Sequence, residues 1–239
     1  METDDRPDSG LSRRDLLRRG SLSVGALAAL AAGAPARALL AEDDLGEDFF
    51  DEAQSLFATA CAATPPNVQG PFWLNLALLR RDITEGLQGV PLRIYLKIVD
   101  GATCSPVSGA TADLWHDSPS GQYSGFASQG TQGQTYLRGI QVTGADGIVR
   151  FDSVFPGWYP GRTPHLHLKI NPNATSELTT QLFFEDAVHA QVYQGYAPYT
   201  SRGPSPTTNA TDNFFLPELL LAHRVRNGRL LVGKQIVIT

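Results

Sequence analysis

Cysteine is nearly absent from this chain, with two among 239 residues. Neither Cys61 nor Cys104 stands in a CxxC pair or beside a histidine, which excludes a cysteine-built metal site. The two remain free to pair in an oxidising compartment, but sequence does not report the distance between them. Positive charge is also scarce. Nineteen Lys and Arg face 24 Asp and Glu, a formal net charge of −5. No basic stripe is interleaved with aromatics, so an electrostatic nucleic-acid interface is excluded. A long hydrophobic run is missing as well: the mild apolar stretch over residues 20–36 is short and glycine-broken for a spanning helix. No internal repeat is present.

What is there begins with Ser12-Arg13-Arg14-Asp15-Leu16-Leu17 ahead of that Ala-, Gly-, Ser- and Leu-rich stretch, followed by a small-x-small site at Ala36-Arg37-Ala38. This pattern resembles a twin-arginine signal, so residues 1–38 are expected to be a removed signal peptide. Export to the periplasm or the extracellular space follows, with no stable membrane anchor. A retained anchor is the competing reading, and the short length argues against it. The signal takes six arginines and five acids with it, leaving 201 residues at a net charge of −6. That length suits one domain.

Residues 39–63 read as an N-terminal arm, with helical periodicity in LGEDFFDEAQSLFATACAA over 45–63. From residue 64 to 239 the signal is β. PLRIYLKIVD, TADLWHD, TYLRGIQVT, GIVRFDSVF, HLHLKI, TQLFFE and RLLVGKQIVIT alternate or carry β-branched and aromatic residues between turn residues. Short strands at regular spacing predict an all-β fold, a β-sandwich of mostly antiparallel strands with a short helical arm and long loops. Gly144-Ala145-Asp146-Gly147 reads as a hairpin turn. Residues 187–216, with Tyr193, Tyr196, Tyr199 and several prolines, read as a long ordered loop used for packing or a dimer contact. An arm of this kind is compatible with a homodimer.

The chemistry concentrates in GWYPGRTPHLHLKI, residues 157–170. In a strand, residues i and i+2 share a face, so His165 and His167 can offer two imidazoles to one ion while Leu166, Leu168 and Ile170 face the core. Pro164 suits the start of such a strand. Imidazole alone fits Zn, Cu, Fe or Ni. Tyr159 narrows the choice, because a phenol with a pKa of about 10 becomes a good ligand only to a strongly Lewis-acidic ion. Ferric iron meets that need best. A second tyrosine is then expected, and Tyr123 in ADLWHDSPSGQYSGF is the candidate, with Gly121 allowing a bend before it and Trp115 nearby.

At this point the chain resembles the intradiol ring-cleavage dioxygenases, the family of the catechol and protocatechuate dioxygenases. The resemblance runs through TPPNVQGPFWL, RRDITEGLQGVPLRIYLKIVD, SPVSGATADLWHDSPSGQYSGF, TYLRGIQVTGADGIVRFDSVFPGWYPGRTPHLHLKI and TTQLFFED, residues 64 to 186 in order. It implies non-haem Fe(3+) bound by Tyr123, Tyr159, His165 and His167, with Tyr159 and His165 axial. It further implies that Arg162 faces the substrate ring and stabilises negative charge, and that Gln181 lies near the iron. Catechol and dioxygen would be the reactants and a cis,cis-muconate-type diacid the product, with Tyr159 released to take a proton. One departure stands out: the family usually has Glu-Gly-Pro where this chain has Gln69-Gly70-Pro71.

Two readings from other classes compete. A metal-free β-sandwich binding module, transthyretin-like or carbohydrate-binding-like, would share only the scaffold. A cupin-type His-x-His enzyme would want a second Glu and His motif, which His189 and His223 do not supply. These two and His116 read as structural or surface residues. Phe72, Trp73 and Trp158 are candidates to line a pocket.

Overall fold

The computed structural model describes residue 57 and residues 61–173 and 177–239. The twin-arginine signal and nearly all of the expected helical arm lie outside the described residues. Among the described residues eight strands form two four-stranded sheets. They are β1 (Pro91–Asp100), β2 (Thr111–Trp115), β3 (Arg138–Val142), β4 (Ile148–Val154), β5 (His165–Asn171), β6 (Leu178–Phe183), β7 (Ala222–Arg226) and β8 (Arg229–Ile238). One sheet has the order β3-β2-β5-β6 and the other β4-β1-β8-β7. All pairings are antiparallel except β1 with β8, which run parallel with Leu92 opposite Leu230 and Asp100 opposite Ile238.

The core lies between the sheets and is built by strand parity. Leu92, Ile94, Leu96 and Ile98 of β1 meet Ala112 and Leu114 of β2 and Leu166, Leu168 and Ile170 of β5. All are essentially inaccessible to solvent. Burying each such aliphatic chain stabilises by about 1.5–3 kcal/mol before entropy is counted. Alternate residues of β5, namely His165, His167 and Lys169, therefore point away from the core. They too are buried, because residues 65–73 cross this outer face. Asn67 N–H donates to Thr179 O (2.9 Å) and Thr180 Oγ1 donates to Pro65 O (2.8 Å).

The sandwich expected from sequence is present, with three local corrections. Residues Gly144–Gly147 do form a turn, Gly147 N–H donating to Gly144 O at 3.0 Å, but it is no hairpin. Its flanking strands, β3 and β4, belong to different sheets, so the turn carries the chain across the sandwich. The supposed loop after residue 186 begins with a helix, α1 (Asp186–Gly195), burying Val188, His189, Val192 and Tyr193. Those positions recur at helical spacing, one apolar stripe on an otherwise polar segment. Tyr193 and Tyr199 enter the core, donating to Pro156 O (3.1 Å) and Phe155 O (2.6 Å). Strand β7, AHRVR, gave no signal because it is a half-exposed edge strand with no buried position. Cys61 and Cys104 are disulfide-bonded, tying the segment before the sandwich to the turn after β1.

Candidate metal centre

The site grows from the N-terminal end of β5. His165 and His167 occupy alternate positions on its outer face, and the β2 and β6 partners of His167 are Trp115 and Gln181. Trp115 stacks on the His167 ring at 5.0 Å between centroids and 5° between planes. His165 Nδ1 lies 2.7 Å from Thr163 O. A carbonyl only accepts, so Nδ1 carries the proton and Nε2 offers a lone pair.

Two loops bring the phenols. Tyr123 sits in the β2–β3 connection, anchored by Thr131 Oγ1 donating to its carbonyl at 2.6 Å and by buried Arg138, whose Nε and Nη2 donate to Ser124 Oγ and O, both at 2.8 Å. Gly121 has φ +82°, and a Cβ there would fall 2.3 Å from both Trp158 O and Arg202 Nη1. Only glycine fits that bend. Tyr159 sits in the β4–β5 connection and is partly exposed, whereas Tyr123 is fully buried.

The four side chains converge in a chain of short contacts. Tyr159 Oη lies 3.1 Å from His165 Nε2, which lies 3.1 Å from His167 Nε2, which lies 3.1 Å from Tyr123 Oη. Burial shifts every one of these groups toward neutrality. The His165 imidazole is pushed down to about 3, by burial first and then by the Arg162 charge, and His167 is held well below its ordinary value by burial and then by His165. Tyr159 is raised to about 12 and Tyr123 well above the ordinary phenol value, both by burial first. Two unprotonated imidazole nitrogens and two phenols facing one point are a donor set for a cation. Phenols that burial holds protonated suit only a strongly Lewis-acidic cation as partner, a chemistry that iron(III) fits. Among the described residues no three His, Cys, Asp or Glu side chains gather as a metal cluster.

Arg162 and Gln181 adjoin the quartet. Arg162 Nη2 donates to Gln181 Oε1, and Gln181 Nε2 donates to Val68 O at 2.8 Å. The segment over the sheet completes the surroundings. Gly70 lies against the His167 ring, and Phe72 stacks on Tyr123 with centroids 4.4 Å apart. Gln69 accepts from Lys169 Nζ at 2.8 Å, and that ammonium sits 4.0 Å from the Trp73 ring centroid. Trp73 Nε1 donates to Asp113 Oδ2 at 2.9 Å, and the Arg202 guanidinium lies 4.4 Å from the Trp158 ring centroid. An open groove of about 370 Å³ runs between Pro66, Asn67, Val68 and Asn213, Phe214, Leu216. His116 is a structural residue, both ring nitrogens bonded at 2.8 Å, to Asp117 O and Ser153 Oγ. His189 pairs with Asp186 at 2.8 Å and His223 lies 3.9 Å from Glu185. Sequence reasoning missed Asp212 and Phe214, which hold Arg162; they lie in the segment read as packing, where an Asp among Thr and Asn looks like an ordinary turn residue.

A family model described as "Dioxygenase" matches residues 68–194, more than half of the chain and the whole of this site except the Asp212 loop. The chain belongs to the intradiol ring-cleavage dioxygenase family. An intradiol ring-cleavage dioxygenase from Tetranychus urticae is 30% identical, with a TM-score of 0.70 over 75% of this chain and 95% of that one. A dioxygenase domain from Streptomyces sp. SirexAA-E, part of a fusion with a carbohydrate-binding protein, is 28% identical with a TM-score of 0.59 over 74% and 98%. Catechol 1,2-dioxygenase 1 of Acinetobacter lwoffii is 29% identical over 165 residues, 59% of this chain and 51% of that protein. The chain thus spans about half the length of that curated relative.

Proposed function

We propose that the protein is an iron(III)-dependent dioxygenase that opens catechol-type rings between their two hydroxylated carbons. Catechol and dioxygen would combine to a cis,cis-muconate-type diacid that keeps both oxygen atoms. The observation that carries this reading is the run of three 3.1 Å contacts joining Tyr159, His165, His167 and Tyr123 through their donor atoms, in a chain of this family. Those four residues would hold the ion. Bound iron(III) would supply the Lewis acidity that keeps the phenols and the catechol oxygens deprotonated.

The chain's own residues have distinct parts. Thr163 O fixes the His165 tautomer. Tyr123 is locked by its loop and fully buried, so it stays. Tyr159 is partly exposed, so its Oη is the one suited to leave and accept a catechol proton. The Arg162 guanidinium places permanent positive charge beside the centre, where an electron-rich ring would develop negative charge. The groove between Val68 and Phe214 offers apolar walls for ring substituents. Residues 1–38 would direct the folded protein out of the cytoplasm, a route consistent with the Cys61–Cys104 disulfide.

The test is the visible absorption spectrum of the iron-loaded protein before and after anaerobic addition of catechol. A broad tyrosinate-to-iron(III) band that moves to longer wavelength with catechol is expected, and iron binding is expected to be lost in Tyr159→Phe or His167→Ala. A colourless protein holding one iron per chain sinks the proposal and favours the metal-free binding module; a band indifferent to catechol removes the dioxygenase reading.

A further inference from the structure

Arg162 is held more firmly than a charged residue on a loop requires. Its Nε donates to both carboxylate oxygens of Asp212, at 2.9 and 3.2 Å. Its Nη2 donates to Gln181, and its guanidinium carbon lies 4.7 Å from the Phe214 ring centroid. Asp212 has a side chain with no solvent exposure. Its oxygens also accept from Thr163 N–H at 2.9 Å and Phe214 N–H at 2.8 Å. One carboxylate therefore fixes the cation, the turn before His165 and the aromatic ring on which the cation stacks. Burying such a pair brings a desolvation penalty that hydrophobic residues of the same volume would avoid. A guanidinium is planar, so a carboxylate gripping Nε sets the direction of the two Nη groups.

We propose that Asp212 is a positioning residue for the ring-cleavage reaction: through Nε it holds the Arg162 guanidinium in the one orientation that serves the bound catechol. The proposal rests on the reading given under Proposed function. Asp212 is not among the four residues whose donor atoms converge. Its effect on the ring would pass through Arg162, whereas its contacts to the Thr163 and Phe214 N–H groups hold the loop whether or not Arg162 is present, and a comparison of the two backgrounds separates these parts.

The experiment is a double-mutant cycle on the iron-loaded enzyme with Asp212→Asn, Arg162→Ala and both, reading kcat and KM for catechol and, anaerobically, catechol affinity from the absorption band. Asp212→Asn alone is expected to lower kcat/KM by about 10- to 100-fold, the range for partners that orient active groups. In the Arg162→Ala background the same change should cost less than about threefold. Equal losses in both backgrounds, or wild-type kcat/KM in Asp212→Asn, overturn the proposal. Arg162→Lys leaves the Asp212 loop intact and is expected to be as impaired as Asp212→Asn; full activity in it also overturns the proposal. A readout independent of turnover is the Arg162 Nε–H resonance in gallium(III)-loaded protein, expected to exchange slowly with water and to lose that protection in Asp212→Asn. Fast exchange in the parent overturns the proposal. Absence of catechol cleavage by the parent enzyme instead overturns the functional reading, and the positioning role with it.

Discussion

Two adjacent residues behind the site, His116 and Asp117, are both held neutral by burial, from opposite directions. The His116 imidazole is pushed down to about 4 by burial, and the Asp117 carboxyl up to about 8 by burial against a smaller opposing pull from Arg202. For His116 the unfolded chain binds the extra proton. Its contribution is present above pH 6.5, the ordinary value, and is lost as pH falls toward 4. For Asp117 the folded state keeps the proton. Its contribution is present below 3.8 and is lost as pH rises through 8. Asp117→Asn, which mimics the protonated acid, is therefore expected to raise the melting temperature more at pH 8 than at pH 5. Calorimetry at the two pH values decides, and an equal gain at both would contradict the assignment. That His165 and His167 share one face was legible in sequence through strand parity, while Tyr159 and Tyr123 were singled out by phenol chemistry and by the family resemblance. Asp212 was not, because it meets Arg162 across 50 residues of chain and nothing local marks that contact.

The element that most directly shapes the centre is the segment from residue 65 to 73 laid over the outer face of β5. Gly70 has φ +69°, and a Cβ there would come within 3.2 Å of His167 Cε1. Gly70→Ala is expected to destabilise by about 1–2 kcal/mol through the backbone conformation alone, and to push the imidazole from its place. Iron retained per chain after dialysis measures the second effect. Retention equal to the parent protein would mean that the segment covers the ligand without setting its position. Strands with clear alternation, β1 and β5 above all, were read from sequence nearly to the residue. The helix α1 was hidden by its prolines and tyrosines downstream, and the turn at Gly144 could be seen without revealing which sheets it joins. Turn chemistry is local, while strand partnership is decided by packing across the whole domain.

At the scale of the molecule the two sheets divide the work. The β3-β2-β5-β6 sheet carries both histidines, and loops from its strands and from β4 deliver the tyrosines. The β4-β1-β8-β7 sheet closes the core from the other side. Its outer face holds Asp152 among Arg81, Arg93, Arg150 and Arg229, at 2.6–3.6 Å, and Phe57 packs there with Tyr95 and Leu231. Changing Arg13 and Arg14 together to Lys is expected to leave the protein in the cytoplasm, whereas the parent chain is recovered outside, shortened by its first 38 residues and with Cys61 and Cys104 joined. Fractionation followed by intact-mass measurement tests this; equal export of both forms would refute the reading of the signal.

The position of β8 sets the timing of biosynthesis. It lies between β1 and β7, so β1 keeps an open edge until residues 229–238 have been made, more than a hundred positions later. Every strand of the sheet bearing the histidines is synthesised before that. A nascent chain therefore exposes half a core and an unpaired strand, a state open to aggregation. Full closure waits for translation to reach Ile238, which makes completion of the fold a late event.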